Sequence, residues 1–314
     1  SNQSFQTPFL NNDEQAQSST KPNDLIFTVC IFTYNRASML GRAIKSVLRA
    51  VGSDLELVII DDGSTDDTKD IVAQFDDDPR LRYFYQEHAG APAARNLAIL
   101  KAIGNYMVWL GSDDEIAPGA LDVYRRQLEQ YPDVDIYYCD NVRLYDVSGQ
   151  EQLIKHQTFQ GTIPPSKFLM GPPLADGGSC VRKNLYSELG GYNKEFTRAQ
   201  DYEFWVRASS TARFHHIPEV LYFHHIHDKG SLTPLFYKGV SMEFENRILD
   251  SLIQNHPIEA MHPEVNWSKL TNEDRRSYEA LIYLEYASAY TKWENITKAE
   301  NYLKRSKDIK VSKE

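Results

Sequence analysis

Between Leu25 and Leu110 the chain alternates short, almost continuously apolar runs with longer amphipathic ones. Leu57-Val-Ile-Ile60 and Tyr106-Met-Val-Trp-Leu110 carry too few polar positions for half-exposed strands, and Asp, Gly and Ser follow each at once. That pattern predicts strands buried on both faces and ended by turns. The expected order is strand 25–33, helix 37–50, strand 55–60, helix 66–74, strand 81–85, helix 92–102 and strand 106–110. Leu40, Ile44, Val47 and Leu48 share one helical face at spacings of three and four. Strands separated by helical crossovers run parallel with right-handed connections, so these residues read as a doubly wound α/β half. In such sheets ligands bind beyond the carboxyl ends of the strands, where the acids of both runs fall.

Beyond a helix at 119–130 the pattern changes. Residues 136–147 alternate apolar and polar positions and predict a longer strand, making the sheet mixed. Residues 160–179 hold Pro164-Pro165, Pro172-Pro173 and Gly177-Gly178, too many breakers for a regular element, and read as a loop of the size that closes over substrates. From Leu235 the pattern is helical, at 242–253, 274–291 and 297–307. Tyr278, Leu281, Ile282, Glu285 and Tyr286 form a stripe suited to core packing, a dimer face or a membrane surface, with core packing the default. Residues 1–24, rich in Gln, Asn, Ser and Thr, read as a disordered tail or linker.

Composition narrows the classes. A chain of 314 residues with a formal net charge of −10 lacks the basic excess of a general nucleic-acid binder. Cys30, Cys139 and Cys180 are far apart and without metal spacing, which predicts buried free thiols in a reducing compartment. No run approaches the roughly 18 apolar residues of a spanning helix, and no signal peptide is visible, so a cytoplasmic location is expected.

Read from the residues alone, Thr33-Tyr-Asn-Arg36 sits at a strand-to-helix turn, with free N–H groups and an aromatic ring that can stack on a base. Asn35 is equally suited to cap the next helix. Asp61 and Asp62 end the second strand, where an acid commonly accepts hydrogen bonds from a base or ribose; capping is the alternative. Asp113 and Asp114 repel each other without a cation, which points to a hard metal bridging a phosphorylated ligand, although an acid-rich capping turn has the same composition.

The combination is more specific than its parts. Val-Cys-Ile-Phe-Thr-Tyr-Asn-Arg36, Val-Ile-Ile-Asp-Asp-Gly-Ser-Thr-Asp66, Gly90-Ala-Pro-Ala-Ala-Arg-Asn-Leu-Ala98 and Met-Val-Trp-Leu-Gly-Ser-Asp-Asp-Glu115, in this order, resemble the amino-terminal half of family 2 glycosyltransferases of the GT-A fold. So do Gly178-Ser-Cys-Val-Arg-Lys183, Leu189-Gly-Gly-Tyr-Asn-Lys-Glu-Phe196 and Gln200-Asp-Tyr-Glu-Phe-Trp-Val-Arg-Ala208. The resemblance implies a mixed, mostly parallel α/β sheet flanked by helices, a GT-A domain over 25–234 and a helical extension over 235–314. Within that domain, 25–118 would bind the nucleotide sugar and 119–234 the acceptor.

By the same resemblance Thr33, Tyr34, Arg36 and Asp62 hold the nucleotide, Arg95 lies near its diphosphate and Ser112 lines the same pocket. The family's metal motif is Asp-x-Asp, and Gly111 stands at its first acid. Asp113 is then the ligand for Mn2+ or Mg2+, and Asp114 the neighbour that orients the sugar or helps hold the metal. Asp201, after Gln200 where the family carries Glu, is the implied catalytic base; its alternative is a helix cap. Of His215, His216, His224, His225 and His227, the resemblance singles out His227 as a second metal contact, with His225 where Arg is usual and Ser231 and Thr233 following. Gly178 and Ser179 are expected on the acceptor side of the pocket, or in a tight turn, and Trp205 against a sugar.

The implied activity is inverting, metal-dependent transfer of a sugar from a nucleoside-diphosphate donor, UDP above the others, to a hydroxyl of a glycan or lipid-linked glycan in bacterial surface polysaccharide or glycoconjugate synthesis. Peripheral membrane contact and a homo-oligomer through the carboxy-terminal helices stay open. The alternatives are an inactive sugar-nucleotide or glycan-binding module and a nucleotidyltransferase, which would need a basic Gly-rich loop that is absent. No Gly-x-Gly-x-x-Gly follows the first strand, which disfavours a dehydrogenase.

Overall fold

A computed structural model describes residues 26–52, 54–227 and 242–311; the expected tail at 1–24, Ser231, Thr233 and the boundary expected at 234 lie outside them. The alternating pattern folds as β1 (Phe27–Thr33), α1 (Ala37–Leu48), β2 (Leu55–Asp61), α2 (Thr68–Ala73), β3 (Leu81–Tyr85), α3 (Ala91–Lys101) and β4 (Tyr106–Gly111). Next come β5 (Glu115–Ile116), α4 (Ala120–Gln130), β6 (Ile136–Tyr145), β7 (Gln150–Ile154), β8 (Gln160–Gly161), β9 (Cys180–Arg182), α5 (Lys183–Leu189), α6 (Gln200–Ala208) and β10 (Phe214–Ile226). The chain then becomes helical, with α7 (Met242–Asn255), α8 (Ile258–Met261), α9 (Asn272–Lys292) and α10 (Ile296–Val311).

The sheet runs β3-β2-β1-β4-β9-β6-β10-β5, with β7 added to β6 and β8 to β10. β3, β2, β1 and β4 are parallel neighbours, as are β6 and β10. The short strand β9 runs antiparallel between β4 and β6 and joins the two parallel blocks. It was not legible in the sequence because three residues carry no period, and its pairing partners are remote in the chain. The strand expected at 136–147 is β6, which ends two residues earlier, at Tyr145, where the chain turns and returns as β7. The expected loop at 160–179 holds β8 and a 3-10 turn at Pro165–Phe168.

Both faces of the sheet are covered, which is why the first strands read as continuous apolar runs. On one face Val29, Ile31, Leu57, Ile59, Val108 and Leu110 pack with Leu40, Ile44 and Val47 of α1 and Leu121 of α4. On the other, Cys30, Val58, Ile60, Met107 and Trp109 meet α3, α5 and α6. Ile248, Leu249, Leu252, Ile282, Tyr286 and Tyr290 of the carboxy-terminal helices belong to this second core. The stripe on α9 is therefore divided: Ile282 and Tyr286 are buried, whereas Tyr278 and Leu281 are exposed, Leu281 by 56%. Trp293 donates its indole N–H to the Leu169 carbonyl at 3.4 Å, and Lys292 donates to that of Met170, so these helices brace the 160–179 segment. All three cysteines are free and buried. Among the described residues, no helix is long and apolar enough to cross a membrane.

Candidate active site

The carboxyl ends of β1, β2 and β4 lie side by side, since β1 pairs with both neighbours and Thr33 is in register with Asp61. Thr33 is buried, and its Oγ1 has no hydrogen-bond partner among the described residues. Tyr34 is 45% exposed and stacks on His88 with ring centroids 4.3 Å apart. Asn35 takes a left-handed backbone conformation (φ 53°) and accepts the Thr65 N–H at 2.8 Å. Its expected capping role belongs instead to Asp66, whose Oδ2 accepts the Ala37 N–H at 3.0 Å, while no side chain of Arg36 caps α1.

Asp61 and Asp62 divide their work. Asp61 accepts the Tyr83 hydroxyl at 2.6 Å and the Ser64 N–H at 2.8 Å. Asp62 accepts from Gln86 Nε2 at 2.5 Å and from the N–H groups of Ala89 and Gly90, each at 2.9 Å. The carboxylate thus organises the 86–90 loop beside Tyr34. A Cβ at Gly63 would sit 2.7 Å from the His88 nitrogen, so the glycine after the two acids is needed for this close approach.

At the end of β4, Ser112 is buried and Asp113 keeps 23% of its side chain exposed, with Oδ2 at 3.0 Å from His227 Nε2. Among the described residues, His227 Nδ1 is buried without a protein partner. Arg42 of α1, not singled out in the sequence, donates to the Asp113 carbonyl at 2.7 Å. Asp114 is buried and turned away from Asp113's partner: Oδ1 accepts the His225 N–H at 2.8 Å and Oδ2 the Tyr222 hydroxyl at 2.5 Å. Burial, with Asp113 beside it, raises the Asp114 pKa above the ordinary carboxylate value. Both oxygens being engaged by β10, Asp114 serves here as an anchor rather than the free sugar-orienting acid expected. Three of the other histidines are committed elsewhere. His225 lies between Asp146 (2.7 Å) and Glu115 (3.0 Å), His216 between Asp140 and Thr158 (2.8 Å each), and His215 against Gln127. Among the described residues no group of three or more His, Cys, Asp or Glu forms a ready metal cluster.

The third group lies across the sheet. Arg95 of α3 is buried and paired with both oxygens of Asp176 (3.2 and 2.5 Å) and the Tyr192 hydroxyl (2.9 Å), with its guanidinium over Trp109, Phe32 and Tyr192. It was expected beside a diphosphate; the structure gives it a carboxylate and an aromatic box, leaving only Nε unpartnered. Asp176 was missed, although an acid before Gly177-Gly178 repeats the acid-then-glycine order of Asp62-Gly63 after β2. Asp201 lies in the first turn of α6, and the cap position is Ala199, left-handed at φ 53°, so Asp201 is not the cap. Its pKa is raised by burial and by the Asp176 charge, against the lowering influence of Arg95.

One expectation is corrected and another falls to its alternative, since Gly177 and Gly178 lie in a turn closed by the Ser179 N–H donating to the Asp176 carbonyl at 2.9 Å. Trp205 is 0% exposed and packs edge-on against Phe204 in the core, so it offers no face to a sugar. Gly178 is buried, with its carbonyl accepting the Tyr124 hydroxyl, and together with Gly177 it admits the Tyr222 ring: a Cβ on Gly177 would lie 2.5 Å from Tyr222 Cζ. Ser179 is fully buried with its hydroxyl unpartnered.

The sequence profile described as Glycosyl transferase family 2 matches residues 28–186, which include the ends of β1, β2 and β4. The chain belongs to glycosyl transferase family 2. An uncharacterized glycosyltransferase of Rickettsia conorii is 38% identical over 188 residues, covering 58% of this chain and 31% of that protein. Chondroitin synthase of Escherichia coli is 25% identical over 265 residues, 84% of this chain and 37% of the synthase. The chain thus spans about a third of the length of these family relatives. S. aureus TarS residues 1–349, solved with UDP-GlcNAc, superposes with a TM-score of 0.60 at 17% identity, over 90% of this chain and 92% of that one. The mannosyltransferase PcManGT of Pyrobaculum calidifontis, solved with GDP-Man and Mn2+, gives 0.58 at 17%, over 91% and 76%. These likenesses show a GT-A fold.

Proposed function

We propose that this family 2 chain transfers a sugar, with inversion, from a nucleoside-diphosphate sugar to a hydroxyl of a glycan or lipid-linked glycan. The observation that carries the reading is the meeting of Asp113 and His227 at 3.0 Å, beside a turn that presents Thr33, Tyr34 and Asp62. UDP is the preferred nucleotide, supported by the UDP-GlcNAc in the TarS structure; GDP, as in the PcManGT structure, is the competitor.

In this reading Tyr34 stacks on the base and the Asp62 turn presents backbone groups to it. One carboxylate and one imidazole, the latter with an orphaned Nδ1, are the donor set expected for a Mn2+ or Mg2+ ion whose other positions come from phosphate oxygens and water. Asp113 and His227 would hold that ion, which when bound neutralises negative charge on the leaving diphosphate. Asp201 accepts the proton of the acceptor hydroxyl as it attacks the anomeric carbon; its raised pKa makes it a stronger base than an exposed aspartate. A single in-line displacement inverts the anomeric configuration. The Arg95–Asp176 pair stands behind Asp201 as a fixed charge partner, a positioning role rather than a diphosphate contact.

Thermal melts of wild type and Asp113→Ala with UDP, GDP or dTDP, with and without Mn2+, test the donor site. A metal-dependent rise of several degrees with one nucleotide, absent in Asp113→Ala, is expected, because a ligand that binds only the native state stabilises it. No rise with any nucleotide in the wild type overturns the donor-site reading and leaves a glycan-binding module as the better account.

A further inference from the structure

At Gly111 the chain departs from the acidic motif it resembles, and the structure contains a physical reason. A Cβ built on Gly111 would fall on Asp114 Oδ2, closer than real Cβ contacts come, and 3.1 Å from Asp113 Oδ1. Asp114 Oδ2 cannot readily swing aside, because it accepts the Tyr222 hydroxyl at 2.5 Å while Oδ1 accepts the His225 N–H at 2.8 Å. The same Tyr222 hydroxyl accepts the Gly111 N–H at 3.1 Å. Gly111, Tyr222 and Asp114 thus close a small hydrogen-bonded ring between the end of β4 and β10. The Tyr222 ring is seated by Gly177 and Gly178, where side chains would collide with it. The register of β10 against β6 shifts at Ile217, Val220 and Tyr222, beside Pro218, so this part of the strand is set by the bulge rather than by a regular ladder.

The ring has a mechanical consequence. Asp113 lies one residue before Asp114, and His227 lies two residues beyond His225, whose N–H the same carboxylate holds. Tying these two backbone segments together fixes the separation of Asp113 and His227, which are 114 positions apart in the chain.

We propose that Tyr222 is a positioning residue that, through Asp114, holds His227 against Asp113, and that Gly111 is glycine because this clamp fills the space a side chain would need. The proposal rests on the reading of Asp113 and His227 as the metal-binding pair. It follows that restoring the missing acid, Gly111→Asp, damages the site instead of improving it. The chain's metal binding relies on one carboxylate and one clamped imidazole.

The test compares Tyr222→Phe, Gly111→Ala and a control, Tyr290→Phe, which removes a hydroxyl that donates to Asp250 at 2.6 Å between α9 and α7. Mn2+ binding in the presence of UDP is titrated by electron paramagnetic resonance, with thermal melts to verify folding. Tyr222→Phe, which acts on the ligands through Asp114, is expected to raise the Mn2+ midpoint by less than the ~10-fold that losing a ligand's direct partner costs, but measurably, and Gly111→Ala to raise it in the same direction. Tyr290→Phe leaves it unchanged. If wild type binds Mn2+ and folded Tyr222→Phe binds it equally well, the clamp is refuted while the metal-site reading stands. Should Tyr222→Phe not fold, an unchanged midpoint in Gly111→Ala refutes it instead. If wild type itself binds no Mn2+ with UDP, the metal-site reading fails and the clamp falls with it.

Discussion

The two acidic turns of this site look alike in sequence and are built differently. Asp62 is closed: its oxygens are taken by Gln86, Ala89 and Gly90, all within 28 positions, on the loop that joins β3 to α3. Asp113 is open: part of its carboxylate faces solvent, and the side chain opposite it, His227, arrives from the far end of the domain. A turn saturated by its own neighbourhood supplies shape, whereas one left with free carboxylate surface has capacity for a ligand. The same contrast separates Asp114, saturated by β10, from Asp113 beside it.

The largest effect is expected at the acid proposed as the base, which desolvation and the Asp176 charge hold toward its neutral form. Asp201→Asn should lower the transfer rate by roughly 10²–10⁴-fold, the usual contribution of a positioned base, without loss of thermal stability. The sign follows from linkage. A raised pKa means that the folded state favours the neutral carboxyl, so that stability contribution is present at low pH and is lost as pH rises through the folded pKa. The asparagine variant escapes that loss and should melt at or above the wild-type temperature at pH 7. For the same reason the acid limb of the wild-type kcat/KM profile should lie above the ordinary carboxylate range; a limb at the value of an exposed aspartate would remove Asp201 as the base.

Next in size, Asp62→Ala leaves two backbone donors and Gln86 without their acceptor and should lower stability by about 1–3 kcal/mol in denaturant melts. Asp113→Ala should shift the unliganded stability by only about 0.5 kcal/mol while removing the Mn2+-dependent rise. Equal losses of stability in the two variants would erase the distinction between closed and open turns. The smallest effect belongs to Tyr34→Ala. Loss of an exposed stacking face should weaken nucleotide binding by about 0.5–1.5 kcal/mol, seen as a raised KM for the donor with kcat unchanged.

Much of this was legible residue by residue. The strands through Leu110 were readable because both faces of the sheet are covered, which forces near-continuous apolar runs, and Gly and Asp mark their ends. Asp113 and His227 were readable as a pair only through the family resemblance. Arg42, Asp176 and Tyr222 were not, because each acts through a partner more than 65 positions away and leaves no local period. Trp205 was misread for the complementary reason: an aromatic beside an acidic motif has the same sequence signature whether it faces a ligand or the core.

The sequence by itself determined the α/β alternation, the placing of acids at strand ends and the motifs that identify the family, since these depend on side-chain periodicity and turn chemistry within about ten residues. Tertiary structure decided which acids are closed and which are open, because whether a carboxylate is satisfied depends on groups that only folding brings near it. Gly111 illustrates both: its identity is plain in the chain, but the collision that excludes a side chain there exists only once Tyr222 has locked Asp114 in place.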